Sequence, residues 1–162
     1  MAGKTLVVYY SATGNTEKVA KYIAESTGAD MFKITPVVPY TMADLDYKDK
    51  ESRVSREHNN AALRNVELTA EKAPSLDAYD TVFIGYPIWW GITAWPVNGF
   101  VKANDLTGKE VIPFCTHGGG GKEQSDKLLA QMAGTGKWHN GEAFVEGSAK
   151  EKVLAWLKKE GF

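Results

Sequence analysis

Residues 11–16 read Ser-Ala-Thr-Gly-Asn-Thr. Ser11, Thr13 and Thr16 supply hydroxyls and Asn15 an amide, while Gly14 permits a positive φ or close approach of a ligand to the backbone. An apolar run, Thr5–Tyr10, precedes them and a stretch with helical spacing follows. The start of a helix offers unpaired N–H groups and the positive end of its dipole. With no Lys or Arg inside it, such a loop suits a phosphate dianion held by dipoles and hydrogen bonds. Ordinary helix capping uses the same residue types, but a cap needs one of them, not four around a glycine. A P-loop places Lys and Ser/Thr directly after its glycine, where this chain has Asn15 and Thr16; a dinucleotide turn needs three spaced glycines. The second strand ends at Thr35–Pro36, with no acidic residue for an adenosine ribose. One terminal phosphate, and so a mononucleotide, is the ligand this loop fits.

Two further loops follow apolar runs. The stretch 85–96, GYPIWWGITAWP, carries Trp89, Trp90 and Trp95 within seven positions. Exposed Trp is costly, so these indoles pack on something: a core, an interface, or a flat aromatic ligand that small Gly91 would admit and Pro87 would help to frame. The stretch 115–122, CTHGGGGK, removes side chains from four successive positions, so backbone amides can reach a ligand. Thr116 and His117 stand at its start as the contacts. Cys115, His58, His117 and His139 lack the spacing of a zinc site.

Elements must position these loops. Strand-length apolar runs recur at Thr5–Tyr10, Met31–Thr35, Thr81–Tyr86, Glu110–Cys115 and, more weakly, Glu142–Val145. Most lack period-two alternation, which predicts strands covered on both faces, as in a parallel sheet. Thr16, Val19, Ala20, Ile23 and Thr27 share one helical face, and Gly28 stops that helix. Pro96–Ala103 and Ser125–Ala133 read as helices. A last helix carries a capping-box pattern at Ser148 and Glu151, an apolar stripe of Ala149, Val153, Trp156 and Leu157, and a stop at Gly161. Residues 37–75 form a long polar connection with a helix near Arg53–Asn65, and long ordered loops are often functional. The alternation predicts a three-layer α/β/α sandwich around a five-stranded parallel sheet, one domain over residues 1–162. Ligands of such sheets sit beyond the carboxyl ends of the strands, where all three loops lie.

Charge and cysteine content narrow the function. A net charge of −1 argues against a nucleic-acid footprint or a polybasic membrane surface. The lone Cys115 cannot form an internal disulfide. The first apolar run is too short and too β-branched for a secretory signal, and no run approaches the ~20 residues of a spanning helix. A cytoplasmic location is expected.

Taken in order, SATGNT, YPIWWG and CTHGGGG resemble the three cofactor loops of the flavodoxin family, and the likeness spans essentially the whole chain. SATGNT is similar to the family's phosphate loop. YPIWWG, CTHGGGG and the long connection resemble a subgroup of small bacterial flavodoxins. The resemblance implies the strand order 2-1-3-4-5 and bound FMN. With little chain between the fourth helix and the last strand, the short-chain type is implied. It also implies site residues: Ser11, Thr13, Asn15 and Thr16, with the amides of Ala12 and Gly14, on the phosphate. Pro87, Ile88, Trp89, Trp90 and Gly91 would flank the isoalloxazine, and Thr116, His117, Gly118, Gly119 and Gly120 would close its other side. Many flavodoxins split their stacking aromatics between the second and third loops and are strongly acidic. This chain crowds its indoles into one loop and is nearly neutral.

Two functions are expected from these loops. The first is a low-potential electron carrier that binds FMN noncovalently and docks transiently with a reductase and an electron acceptor. The alternative is an FMN-dependent NAD(P)H:quinone-type reductase, motivated by the near-neutral charge and by a long connection able to cover a substrate. A hydrolase built on Cys115 or Ser11 lacks its apparatus: Gly121 stands where a cysteine phosphatase places Arg, and Ser11 has no base within its motif.

Overall fold

The computed structural model describes residues 3–162. The apolar runs form β1 (Lys4–Tyr9), β2 (Asp30–Lys33), β3 (Tyr79–Trp89) and β5 (Glu110–His117), all parallel, in the order β2-β1-β3-β5. Helices α1 (Asn15–Thr27), α2 (Arg53–Asn59), α3 (Pro96–Ala103), α4 (Ser125–Ala133) and α5 (Lys150–Lys159) lie between and after them. Successive side chains of β1 point to opposite faces. Leu6, Val8 and Tyr10 join one buried cluster with Val97, Phe100 and Leu129 of α3 and α4. Val7 and Tyr9 join the other, with Val19 and Ile23 of α1 and Trp156 of α5. Covering both faces is why these strands read as unbroken apolar runs.

Among the described residues the sheet has seven strands, not five. Two short strands, β6 (Lys137–Trp138) and β7 (Glu142–Val145), share the fifth position, each parallel to β5. Pro113 explains the interruption. Residues two apart in a strand turn their backbone groups to the same neighbour, and the carbonyl of Val111 accepts from His139 N at 2.9 Å. Pro113 therefore faces the same way with no N–H to give, and the ladder breaks opposite it. The seventh strand, β4 (Ile92–Thr93), folds back antiparallel on the end of β3.

Two helical expectations also change. The helix of the long connection stops at Asn59, and a 3₁₀ turn, Ala61–Arg64, follows after Asn60 accepts from Ala62 N at 3.2 Å. Ser148 does not cap α5: its hydroxyl donates to Val145 O at 2.5 Å, and the helix starts two residues later with Ala149 at its N-cap. Val153, Trp156 and Leu157 are buried as expected, whereas Ala149 is exposed. Among the described residues, no helix is long and apolar enough to cross a membrane.

Candidate functional site

The parallel strands bring the three loops to one edge. Tyr10 N donates to Gly85 O at 3.0 Å, and Pro87 lies in register with Thr116, so the first loop adjoins the second and the second adjoins the third. A buried bond closes the set: the hydroxyls of Thr16 and Thr116 meet at 2.7 Å. Only one hydroxyl hydrogen fits between two oxygens, so the other is free to point elsewhere.

In the first loop, Gly14 is the N-cap of α1 with φ 95°, a left-handed conformation that glycine adopts at little cost. Ser11 Oγ accepts from Gly14 N at 3.1 Å and Glu17 N at 3.2 Å, so it both shapes the loop and caps one helix amide. Its own hydrogen remains to be given. Thr13 Oγ1 likewise accepts from Asn15 Nδ2 at 3.2 Å. Among the described residues, none accepts from the amides of Ala12, Thr13, Asn15 or Thr16. Glu17, the acidic residue of the first turn, accepts from Tyr9 OH at 2.8 Å and lies 3.8 Å from Lys33 Nζ. The result is a cluster of free N–H and O–H donors at the positive end of a helix, which is the donor set a phosphate ester needs.

The second loop is a hairpin. Trp90 and Gly91 form its two-residue turn with φ of 50° and 74°, and Trp89 pairs with Ile92. Two positive φ values are what a type I′ turn requires, at a cost of roughly 1 kcal/mol for a residue with a side chain. Trp90 is 41 % exposed, yet its indole stacks on His58 of α2 at 4.2 Å and 10°, with Tyr47 edge-on at 6.4 Å. Trp89 is half-buried among Tyr10, Tyr40 and Trp95, with ring centroids at 5.8, 5.2 and 4.9 Å. Trp95 is core, 1 % exposed. Of the three indoles, only Trp89 and Trp90 stand at the loop edge. Pro87 and Ile88 lie half-buried where β3 meets the hairpin.

A buried carboxylate mounts this aromatic wall. Glu57 of α2 accepts from Tyr40 OH at 2.5 Å and Trp95 Nε1 at 2.8 Å, and Arg53 Nε lies 3.2 Å from its other oxygen. Arg53 in turn covers the Tyr40 ring at 3.7 Å. Burial, then the bond to Glu57, raises the Tyr40 phenol above its ordinary pKa; burial does the same for Tyr10, against the opposing charge of Arg53. Both phenols stay neutral.

The third loop curls on His117, whose Nδ1 accepts from Gly119 N at 3.0 Å and Gly121 N at 3.1 Å. Gly118, Gly119 and Gly120 are exposed. Glu123, with φ 46°, reaches back over the hairpin: a Cβ on Gly91 would stand 2.4 Å from its Oε2. Cys115 is 1 % exposed, and burial pushes its thiol up to about 12, so it carries no thiolate for nucleophilic chemistry at neutral pH.

The sequence-predicted cofactor residues therefore lie in three adjoining segments: Ser11–Gly14 lead into α1, which Asn15 and Thr16 open; Pro87, Ile88 and Trp89 end β3 before Trp90 and Gly91; and Thr116 and His117 end β5 before Gly118, Gly119 and Gly120. The sequence did not point to Tyr10, Tyr40, Tyr47, Glu57, His58 or Glu123. Two tyrosines in an otherwise polar connection were the available signal, since large aromatic rings are seldom left in water. Open clefts of about 430 Å³, beside Asn65 and Lys102, and about 420 Å³, beside Phe144 and Lys152, contain no residue of the three loops.

The flavodoxin family model matches residues 4–160. No curated protein matches the chain. Among solved structures, a protein from Bacteroides uniformis ATCC 8492 described as a flavoprotein is 38 % identical, with a TM-score of 0.87 over 98 % of this chain and 99 % of that one. One similarly described from Bacteroides eggerthii DSM 20697 is 37 % identical, with a TM-score of 0.83 over 96 % of each chain. A flavoprotein from Lactobacillus acidophilus NCFM, solved in complex with FMN, is 24 % identical, with a TM-score of 0.66 over 94 % of this chain and 99 % of that one, a likeness of fold.

Proposed function

This chain belongs to the flavodoxin family, and from that premise we propose that it binds FMN noncovalently and carries electrons at low potential between a reductase and an acceptor protein. One observation carries the proposal: the free amides of Ala12, Thr13, Asn15 and Thr16, gathered around left-handed Gly14 at the start of α1. Their donor chemistry fits a phosphate ester in a loop that contains no Lys or Arg. The Lactobacillus flavoprotein of the same fold, solved with FMN, supports the reading.

FMN, when bound, supplies the redox chemistry, and the chain supplies its setting. Ser11 and Thr13 accept within the loop and keep their hydroxyl hydrogens for the phosphate. Thr16 holds the loop to β5 through Thr116, so the phosphate and ring sites keep a fixed separation. Trp89 and Trp90 give the ring an apolar wall that resists added negative charge, which lowers the potential of a group bound beside it. The apoprotein is expected to bind FMN with roughly 100-fold or greater preference over riboflavin, because two charge-assisted hydrogen bonds are worth about 3 kcal/mol. Equal affinities, read by fluorescence titration, would overturn the phosphate site.

A second reading, an FMN-dependent NAD(P)H:quinone-type reductase, draws on the folding of the connection over the hairpin through Tyr40, Tyr47 and His58. That arrangement offers aromatic surface to a second ring. Steady-state NAD(P)H oxidation by the FMN-loaded protein alone separates the two: the carrier turns over only when a reductase is added.

A further inference from the structure

Four glycines in a row lose more backbone entropy on ordering than any other tetrapeptide, so something must hold residues 118–121 in shape. Two hydrogen bonds do so, and both end on one atom. The amides of Gly119 and Gly121 donate to His117 Nδ1 at 3.0 and 3.1 Å. Gly119 and Gly121 have φ of 149° and 75°, so the loop winds through conformations open to glycine. A ring nitrogen that accepts carries no proton, and the neutral imidazole then holds its hydrogen on Nε2. Among the described residues, Nε2 has no partner. His117 is half-buried at the carboxyl end of β5, the edge where the three loops meet.

We propose that His117 is the positioning residue of the glycine loop: Nδ1 winds the loop into its cofactor-receiving form, and the tautomer this enforces presents Nε2–H as a donor to an acceptor atom of the flavin ring, a carbonyl oxygen or an imine nitrogen. The second half rests on the FMN reading; the first stands without it. Loop shape and donor identity are thereby coupled, because the bonds that order the glycines also decide which ring nitrogen carries hydrogen.

Two substitutions separate the nitrogens. In His117→Asn, Oδ1 lies as many bonds from Cβ as Nδ1 does, which restores the acceptor and removes the donor. In His117→Gln, the terminal amide lies at the distance of Nε2, which restores a donor and leaves the glycine amides without a partner. The readouts are amide hydrogen exchange at Gly119 and Gly121 in the apoprotein, the imidazole tautomer by long-range ¹H–¹⁵N correlation, and FMN affinity.

The expected results are an Nε2–H tautomer in the unsubstituted protein and near-native exchange in His117→Asn. Exchange faster by roughly tenfold or more is expected in His117→Gln and His117→Ala, since two net hydrogen bonds are lost. FMN affinity should fall in His117→Asn by roughly fivefold, one donor's worth. An Nδ1–H tautomer, or Asn, Gln and Ala variants that exchange alike, would overturn the proposal while leaving FMN binding by the unsubstituted protein intact. Failure of the unsubstituted protein to bind FMN would instead remove the proposed function and the donor half together.

Discussion

Thr16 and Thr116 stand 100 positions apart, yet their hydroxyls share one buried hydrogen. Removing one partner strands the other without water to replace it. Thr16→Val and Thr116→Val are each expected to destabilise the apoprotein by about 1–3 kcal/mol in urea unfolding. The double Val variant should cost clearly less than the sum, because no orphaned polar group remains; strictly additive losses would contradict the pairing. At this scale the sequence disclosed residue types better than partnerships. A threonine in the first turn of a helix can serve its own loop, a ligand or a distant strand, and only the completed sheet decides. The indoles show the same limit. Trp89, Trp90 and Trp95 are chemically alike in sequence, but Trp95 is sealed in the core by its bond to Glu57 while Trp90 lies against His58.

Among the elements, α2 departs furthest from its appearance in sequence. Its charged, polar composition suggests a solvated face, but Glu57 is 7 % exposed and joins Tyr40, Trp95 and Arg53. The long connection is thereby bolted to the aromatic hairpin instead of hanging over it. Glu57→Ala leaves Tyr40 OH, Trp95 Nε1–H and Arg53 Nε–H without their acceptor and should cost roughly 3 kcal/mol. Faster hydrogen exchange across residues 40–60 and altered tryptophan emission should accompany the loss, with Glu57→Gln intermediate. Unchanged exchange there would show that α2 is held by other contacts. The buried strands were legible because apolar runs carry their own signature. The anchoring of α2 was not, since a buried glutamate and a solvated one look identical until their neighbours are placed.

Across the whole molecule, Asp126 ties α4 to the interrupted fifth position of the sheet. Its Oδ2 accepts from Gly141 N at 2.9 Å and lies 3.1 Å from Lys122 Nζ, and Oδ1 accepts from Lys127 N at 3.0 Å. Burial alone would raise its pKa, but the Gly141 amide and Lys122 outweigh burial and hold the carboxyl below its ordinary value. A depressed folded value means stability that is fully present above the unfolded pKa of about 4 and lost as pH falls through the folded one. Asp126→Asn should therefore unfold at lower urea than the unsubstituted protein at pH 7, and the gap should close as pH drops below about 4. A gap constant with pH would refute the linkage. The layered architecture was legible in the apolar runs and the strand order only through the family resemblance, whereas the split border was not legible, because Pro113 acts on the strand beside it and not on its own.

That split border has a consequence for how the protein behaves among its own copies. The sheet ends on β2 at one side, four residues with charged Asp30 and Lys33 at its limits, and on β6 and β7 at the other, two and four residues long. A neighbouring molecule seeking to extend the ladder finds only a few rungs before the path is broken, and short, charged borders are how native sheets discourage stacking into fibres. The proline that interrupts the outer lane thus also guards against chain-to-chain zippering, and the protein should remain dispersed in a crowded solution.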